Sequence, residues 1–361
     1  MRHPAGRMSR GVVPGVLEMG WVSGFCRGWP WDYGAGVDGV SELTEAAGLG
    51  AATAQTPLSG GRNNRVFKVD TESGTPAVLK AYFHSEDDPR DRLAHEAGFT
   101  AYAVDRGIRC VPRLLGQDRD RRLGLFEWID GVMLEPAVVT PERVGEAMTF
   151  FAALNTPEAR EGVLAERLPL GSEACLCTLE HLAVIDQRVR ALNEVGDPGA
   201  ASWIEGVLKP WWASLHLPMA KQEDAYAPAP RCVSPSDFGF HNALRRTSGA
   251  QAGRMVFHDF EYAGWDDPAK VVGDFMHQPR RPVPLTSLET VLAGVAEPLE
   301  LDAAGVDRCR RLLPVYGVKW ACIVLGPLLP TAAARREHAG APSPDAASLV
   351  ERAAGVLQRF A

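Results

Sequence analysis

Three side chains suited to one reaction stand close together in this chain. Asp237 and Asn242 lie in Ser234-Pro-Ser-Asp-Phe-Gly-Phe-His-Asn242, and Asp259 follows in His258-Asp-Phe-Glu261. Transfer of a phosphoryl group from ATP to a hydroxyl needs such a set. One carboxylate must orient the attacking hydroxyl and accept its proton, while an amide oxygen and a second carboxylate hold Mg2+ against the phosphates. Asp237-x4-Asn242 followed by Asp259-Phe-x has the spacing of a catalytic loop and a metal loop for that chemistry. The first reading is therefore an ATP- and Mg2+-dependent kinase acting on a small molecule.

The elements before this stretch read as a nucleotide holder. Residues 53–58 and 65–69 are expected strands around Ser59-Gly-Gly-Arg-Asn-Asn64, a hairpin by pattern. Gly60 and Gly61, with Asn63 beside them, would let backbone N–H groups approach phosphate oxygens, although a plain hairpin has the same signature. No G-x4-G-K-[ST] occurs, which excludes a P-loop. A third strand, 76–82, has Val78, Lys80 and Tyr82 on one face by its period of two. A lysine amid apolar strand residues is costly without a partner. Asp87 or Asp88 is expected to cap the next helix, with Pro89 in its first turn. Glu96 shares one face of that helix with Leu93, Ala97, Thr100 and Ala101, so Lys80 and Glu96 are expected to pair and aim the lysine at the nucleotide phosphates. Strands over 111–115 and 123–129 follow, the second running into Glu127-Trp-Ile-Asp-Gly131. A linker there would let adenine pair with the carbonyl of Glu127 and the N–H of Ile129; an ordinary turn is the plainer reading.

Beyond that linker the apolar residues recur at helical spacing over 141–154, 172–193, 201–215 with a kink at Pro210, 285–296, 303–313, 315–325 and 346–360. Short strands over 243–245 and 255–257 flank the chemistry, and Asp266-Asp267-Pro268 opens a further helix through Met276. The expected organisation is a loose Gly-, Pro-, Trp- and Arg-rich leader over 1–39, a nucleotide-binding lobe over 40–126, a hinge over 127–131, and a helical lobe over 132–361 with both loops and the acceptor site. Ser41 is expected to cap a short helix ended by Gly48. Gly34-Ala-Gly-Val-Asp-Gly39 fits a dinucleotide fingerprint in letters only, because Pro30 denies it the preceding strand.

Composition narrows the classes. A formal charge of −7 argues against a nucleic-acid partner; it would suit a cationic substrate, though many enzymes are mildly acidic. Seven scattered cysteines read as reduced thiols of a cytoplasmic protein. The apolar run over 11–17 is broken by Pro14 and makes a poor signal peptide. The run over 321–334 is interrupted by Pro327 and Pro330 and is too short for a bilayer. The expected partner is a small-molecule hydroxyl acceptor, with no nucleic acid and no membrane.

In order, the glycine turn, strand lysine, helix glutamate, hinge, Asp-x4-Asn and Asp-Phe-x resemble the aminoglycoside phosphotransferase and choline kinase-like family, over roughly residues 41–361. The resemblance implies a protein-kinase-like α+β fold: a small antiparallel-sheet N-lobe with one main helix, and a larger, mostly helical C-lobe. It implies Gly60, Gly61 and Asn63 in the phosphate loop, Lys80 on the α- and β-phosphates held by Glu96, Asp237 as the catalytic aspartate, and Asn242 and Asp259 as Mg2+ ligands. Glu261 and His241 would support the site, and Asp267 and Asp274 would be structural. One departure stands out. The family has His two residues before the catalytic Asp, and this chain has Pro235. Pro235 is the main support for a second reading, a catalytically weak, pseudokinase-like binding protein. A protein kinase is disfavoured, since no Ala-Pro-Glu element or long activation segment follows Asp259.

Overall fold

The computed structural model describes residues 36–58, 64–84, 90–136, 139–330, 332 and 344–360. Gly60, Gly61, Asn63, the 87–89 helix start and nearly all of the expected leader lie outside the described residues. Of the leader, Val37 exchanges two hydrogen bonds with the Gln55 side chain.

After α1 (Val40–Ala46), strands β1 (Ala52–Leu58), β2 (Asn64–Thr71) and β3 (Ala77–Tyr82) are followed by α2 (Arg92–Asp105), β4 (Leu114–Asp118) and β5 (Leu123–Glu127). The strands form one antiparallel sheet in the order β1-β2-β3-β5-β4. Central β3 is buried on both faces, and its period of two sorts the side chains. Ala77 and Leu79 pack with Val40 and Leu43 of α1, whereas Val78 and Tyr82 pack with Leu93 and Ala97 of α2. Lys80 belongs to the second set, so its chain points at α2.

Two expected caps differ. Asp91 caps α2 by accepting the Ala94 N–H at 3.0 Å. Gly39, at φ 80°, occupies the cap of α1, while the Ser41 hydroxyl accepts from Ala52 N–H. The left-handed backbone at that cap suits glycine.

The second half is helical around small sheets. β6 (Gly131–Met133) leads to α3 (Pro141–Leu154), the single turns α4 (Pro157–Arg160) and α5 (Val163–Glu166), α6 (Thr178–Ala191), α7 (Pro198–Trp203) and α8 (Lys209–Ala220). Then come β7 (Cys232–Ser234), β8 (Ala243–Arg246), β9 (Met255–Phe257), β10 (Gly264–Asp266), α9 (Pro268–His277), α10 (Leu288–Leu299), α11 (Ala303–Leu325) and α12 (Ala346–Leu357). β6, β8 and β9 form one sheet and β7 pairs with β10. The rings of Phe150 and Phe257, and of Phe238 and Phe275, stack at 4.9 and 4.8 Å. These pairs seat the loop between β7 and β8 on the helical core.

Three helix boundaries depart from the pattern. Residues 172–177 are not helical: the turn is held by Ser172 N–H on Tyr262 O and Cys175 N–H on the Asp266 carboxylate, bonds from far along the chain that outcompete local helix. The kink expected at Pro210 is a π-turn over Ile204–Leu208, just before it, which relieves the clash between the proline ring and the preceding turn. α11 runs unbroken through Pro314, because buried Leu312, Leu313, Val315 and Tyr316 fix both sides of the lost hydrogen bond. Among the described residues one helix, 303–328, is long and apolar enough to cross a membrane, but 67% of its most apolar window is buried inside the protein. It is the core helix of this half.

Candidate active site

Lys80 is 3% exposed and lies between two carboxylates. Its Nζ is 2.7 and 3.0 Å from the Glu96 oxygens and 2.9 Å from Asp259 Oδ1. Burial disfavours the ammonium, yet Asp259 and Glu96 overcome it and hold the lysine above its ordinary pKa. Tyr82, one period along β3, donates to Glu96 Oε2 at 2.6 Å. The glutamate is thereby fixed from two sides, a contact the sequence pattern offered on the shared strand face but did not identify.

The β8–β9 hairpin brings Asn242 to Asp259. Ala243 pairs with Phe257, and His258 N–H donates to Asn242 O at 3.0 Å. The chain then turns sharply: Asp259 sits at φ 69°, in the left-handed region, rather than on a continuing strand. Such backbone costs of order 1–3 kcal/mol, and it sends the carboxylate back toward Lys80. Asn242 donates its amide to Asp237 O at 3.0 Å and Oδ2 at 3.2 Å, which leaves its own Oδ1 as an acceptor. Asp259 engages Lys80 through one oxygen, and 37% of its side chain remains exposed. Two hard oxygen donors of this kind fit Mg2+, which takes oxygen ligands and keeps places for phosphates and water. No cluster of three His, Cys, Asp or Glu side chains that could hold a metal by themselves occurs among the described residues.

Asp237 follows β7. That strand is clamped by Asn155, which ends α3 and is fully buried; its side chain accepts Val233 N–H at 2.8 Å and donates to Val233 O at 2.9 Å. Sequence reasoning missed Asn155, whose only signal is a polar side chain closing an apolar helix. Pro235 stands between Ser234 and Ser236. Ser236 takes φ 64°, and its N–H donates to the Ser234 hydroxyl at 3.0 Å, so local backbone bonding supports the loop here. His241 Nε2 lies 3.2 Å from Asp237 Oδ1 without hydrogen-bond alignment. Burial raises the Asp237 pKa, but the His241 ring, the Asn242 amide and Arg280 outweigh it and hold the carboxyl at about 2. Burial pushes His258 down to about 3, with Lys80 and His241 adding to it against Asp259.

Glu261 is buried, accepts from the Asn64 amide of β2, and lies 3.6 Å from Arg92 Nε; its carboxylate is directed toward the sheet half. Glu127 ends β5, and its carboxylate receives Arg113 Nε at 3.2 Å. The Ile129 side chain is buried with Val78, Leu244 and Val256. Asp237 opens onto a cleft of about 380 Å³ that also includes Ser172, Glu173, His241, Lys319 and Trp320. Asp267 caps α9 and receives His181 and Arg308, and Asp274 receives Lys319 at 2.8 Å through both oxygens.

The family model of a phosphotransferase enzyme family matches residues 54–276, well over half of the chain, from β1 through α9. The chain belongs to the phosphotransferase enzyme family. A comparison with curated proteins finds no match. Among solved structures this phosphotransferase is similar to a choline/ethanolamine kinase family protein from Mesorhizobium loti, at 19% identity and TM-score 0.58, over 89% of this chain and 95% of the other. It is also similar to a putative aminoglycoside phosphotransferase from Ralstonia eutropha, at 15% identity and TM-score 0.57, over 85% and 91%. A spectinomycin phosphotransferase in complex with ADP and spectinomycin aligns at 12% identity and TM-score 0.54, over 86% and 94%. At these identities the likeness is one of fold: an antiparallel-sheet half followed by a helical half, as in kinase-like proteins.

Proposed function

We propose that this phosphotransferase moves the γ-phosphoryl group of ATP to a hydroxyl of a small molecule. The observation that carries this reading is the pair of linked contacts at the cleft: Lys80 bridges Glu96 and Asp259, and Asn242 is locked onto Asp237. In this reading residues 40–126 bind the nucleotide, 127–131 form a hinge and 132–361 carry the acceptor. Gly60, Gly61 and Asn63 would approach the phosphates, and Lys80 would neutralise the α- and β-phosphates. Adenine would meet the Glu127 carbonyl and the Ile129 N–H beside the apolar cluster of Val78, Leu244 and Val256. Mg2+, held by Asn242 Oδ1 and Asp259, would offset charge on the phosphates.

Asp237 orients the acceptor hydroxyl. With its pKa held at about 2 it is a weak base toward an unactivated alcohol, so its main contribution is alignment, with proton transfer late, as charge leaves the attacking oxygen. Intact Lys80, Glu96, Asp237, Asn242 and Asp259 favour catalysis over a pseudokinase-like binding role, and the Ser234–Ser236 contact is the local support in the chain that carries Pro235. A similar fold that holds ADP and spectinomycin together supports a two-substrate cleft. The six described cysteines are free thiols, which supports a cytoplasmic setting.

The test is Asp237→Asn. Turnover of ATP with a competent acceptor should fall by roughly 10²- to 10⁴-fold, with MgATP affinity retained. Undiminished turnover would remove Asp237 from the mechanism.

A further inference from the structure

His241 is 5% exposed, and neither of its ring nitrogens makes a hydrogen bond among the described residues. A buried donor or acceptor without a partner costs free energy, so one retained beside a reactive carboxylate calls for a reason. The ring is held in place from both sides. It belongs to the single helical turn Phe240–Asn242. Phe240 is anchored with its ring centroid 5.5 Å from that of Phe275, and Asn242 is bound to Asp237. Beneath the ring lies Gly239, where a Cβ would stand 2.9 Å from His241 Nδ1. The Gly239 backbone is extended at φ 169°, which any residue adopts, so its missing side chain serves the close approach of the ring and not the turn. Thus fixed, the ring lines the cleft with Nε2 at 3.2 Å from Asp237 Oδ1.

The Asp237 carboxylate is held at one end only. Asn242 donates to Oδ2 at 3.2 Å, and among the described residues no aligned hydrogen bond reaches Oδ1. Rotation about the Cβ–Cγ bond of an aspartate is soft. One donor therefore leaves the plane of the carboxylate loose, and with it the direction in which a hydroxyl is aimed. A second donor on Oδ1 would fix that plane. An ionised carboxylate has about four lone-pair sites, so two such donors still leave room for the acceptor.

Resting on the phosphotransfer reading, we propose that His241 is a positioning residue: as the acceptor hydroxyl engages Asp237, the His241 Nε2–H closes onto Oδ1 and locks the carboxylate plane opposite Asn242. Catalytic hydrogen bonds are often poorly aligned before substrate binds and tighten in the reacting complex, which accounts for a nitrogen at 3.2 Å that is not yet aligned. One neutral tautomer carries Nε2–H just as the imidazolium does, so the role needs no change of charge. His241 acts through Asp237 and touches neither ATP nor acceptor in this role.

The assay is ADP release from the full chain with MgATP and water as the probe acceptor: water takes the γ-phosphoryl group and ADP departs. His241→Phe keeps an apolar ring and removes both nitrogens, and His241→Gln returns an amide N–H near the place of Nε2. At one fixed pH, kcat should fall about tenfold to a hundredfold in His241→Phe, the KM of MgATP should stay unchanged, and His241→Gln should recover most of the loss. The unfolding midpoint of His241→Phe should equal or exceed that of the parent, because an apolar ring leaves no nitrogen unpaired. A histidine with a structural role alone would lower midpoint and kcat together, with no recovery in the glutamine variant. Gly239→Ala, which crowds the ring, should lower kcat by a similar factor and cost nothing further in a His241→Ala background. Parental kcat in His241→Phe, a lowered midpoint without recovery in His241→Gln, or additive losses in the double variant overturns the proposal. Asp237→Asn is run alongside. If it collapses while His241→Phe does not, phosphotransfer stands and the proposal falls; if neither loses turnover, the phosphotransfer reading falls as well. Where hydrolysis is too slow to follow, nitrogen NMR of the His241 ring, assigned by its loss in His241→Gln, decides: a proton on Nε2 supports the role, and a bare Nε2 facing Asp237 overturns it.

Discussion

A buried lysine keeps its charge only where carboxylates replace the water it has lost, and Lys80 has two, Glu96 and Asp259. His277 is the opposite case. Its Nδ1 lies 2.8 Å from Gly273 O, its ring packs 4.9 Å from Phe360, and its surface is 1% exposed. Burial, reinforced by Arg359, outweighs the Gly273 carbonyl and Asp274 and holds its pKa at about 4. The sign follows from proton counting. Below the ordinary value of about 6.5 the unfolded chain binds a proton that the folded chain refuses until about pH 4. Stability therefore falls as pH drops through that window and levels off below it, by on the order of 3 kcal/mol for this one group. His277→Gln should flatten the fall in urea-unfolding free energy between pH 6.5 and 4, whatever uniform cost the substitution carries. An unchanged slope would assign the window to other groups.

At the scale of elements, the site depends on close approach. Gly273 on α9 faces Tyr316 on α11, and a Cβ at Gly273 would stand 2.3 Å from the ring. The ring cannot swing aside, because its hydroxyl lies 2.7 Å from His181 Nδ1 and the residue is 1% exposed. Gly273→Ala should therefore destabilise by about 1–3 kcal/mol through overpacking, despite the better helix propensity of alanine. Denaturant unfolding would measure it, and a stabilised variant would show that the two helices part freely. Contacts of this kind also mark what the sequence could carry. β2, β3, α2, α3 and the Lys80–Glu96 pairing were legible because each repeats a period against a buried face, whereas β1 and β4 have no fully buried residue and the strand expected over 111–115 lies at Leu114–Asp118. The three-residue strands β6, β7 and β10 were not expected, whereas β9, equally short, was expected over 255–257 as an apolar run beside the chemistry. The start of α6 was misread because its competitors are bonds to Tyr262 and Asp266, far along the chain. Asp259 was legible by type and spacing, but its left-handed turn belongs to the folded loop and leaves no mark in the letters.

Across the whole molecule, α2 joins the sheet half to the helical half. Glu96 Oε1 receives Phe260 N–H, His95 Nδ1 lies 2.8 Å from Ala263 O, Phe99 packs 4.5 Å from Phe260, and Tyr102 donates to Leu154 O at 2.6 Å. The helix thus contacts the segment that follows Asp259 through His95, Glu96 and Phe99, and α3 through Tyr102, so it ties the two halves together. A nucleotide that touches Lys80 on one side and Mg2+ at Asp259 on the other would bind the assembled form alone. It should raise the unfolding midpoint, since a ligand at a hundred times its Kd adds about 2.7 kcal/mol. ATP with Mg2+ is expected to stabilise more than ATP alone. Asp259→Ala should lose that increment and retain the response to ATP alone, because Lys80 keeps Glu96 and gains freedom to meet phosphate. Thermal unfolding of both proteins under both conditions is the measurement. An increment that survives Asp259→Ala would move the metal away from Asp259, and with it the account of why the chain turns left-handed at that residue.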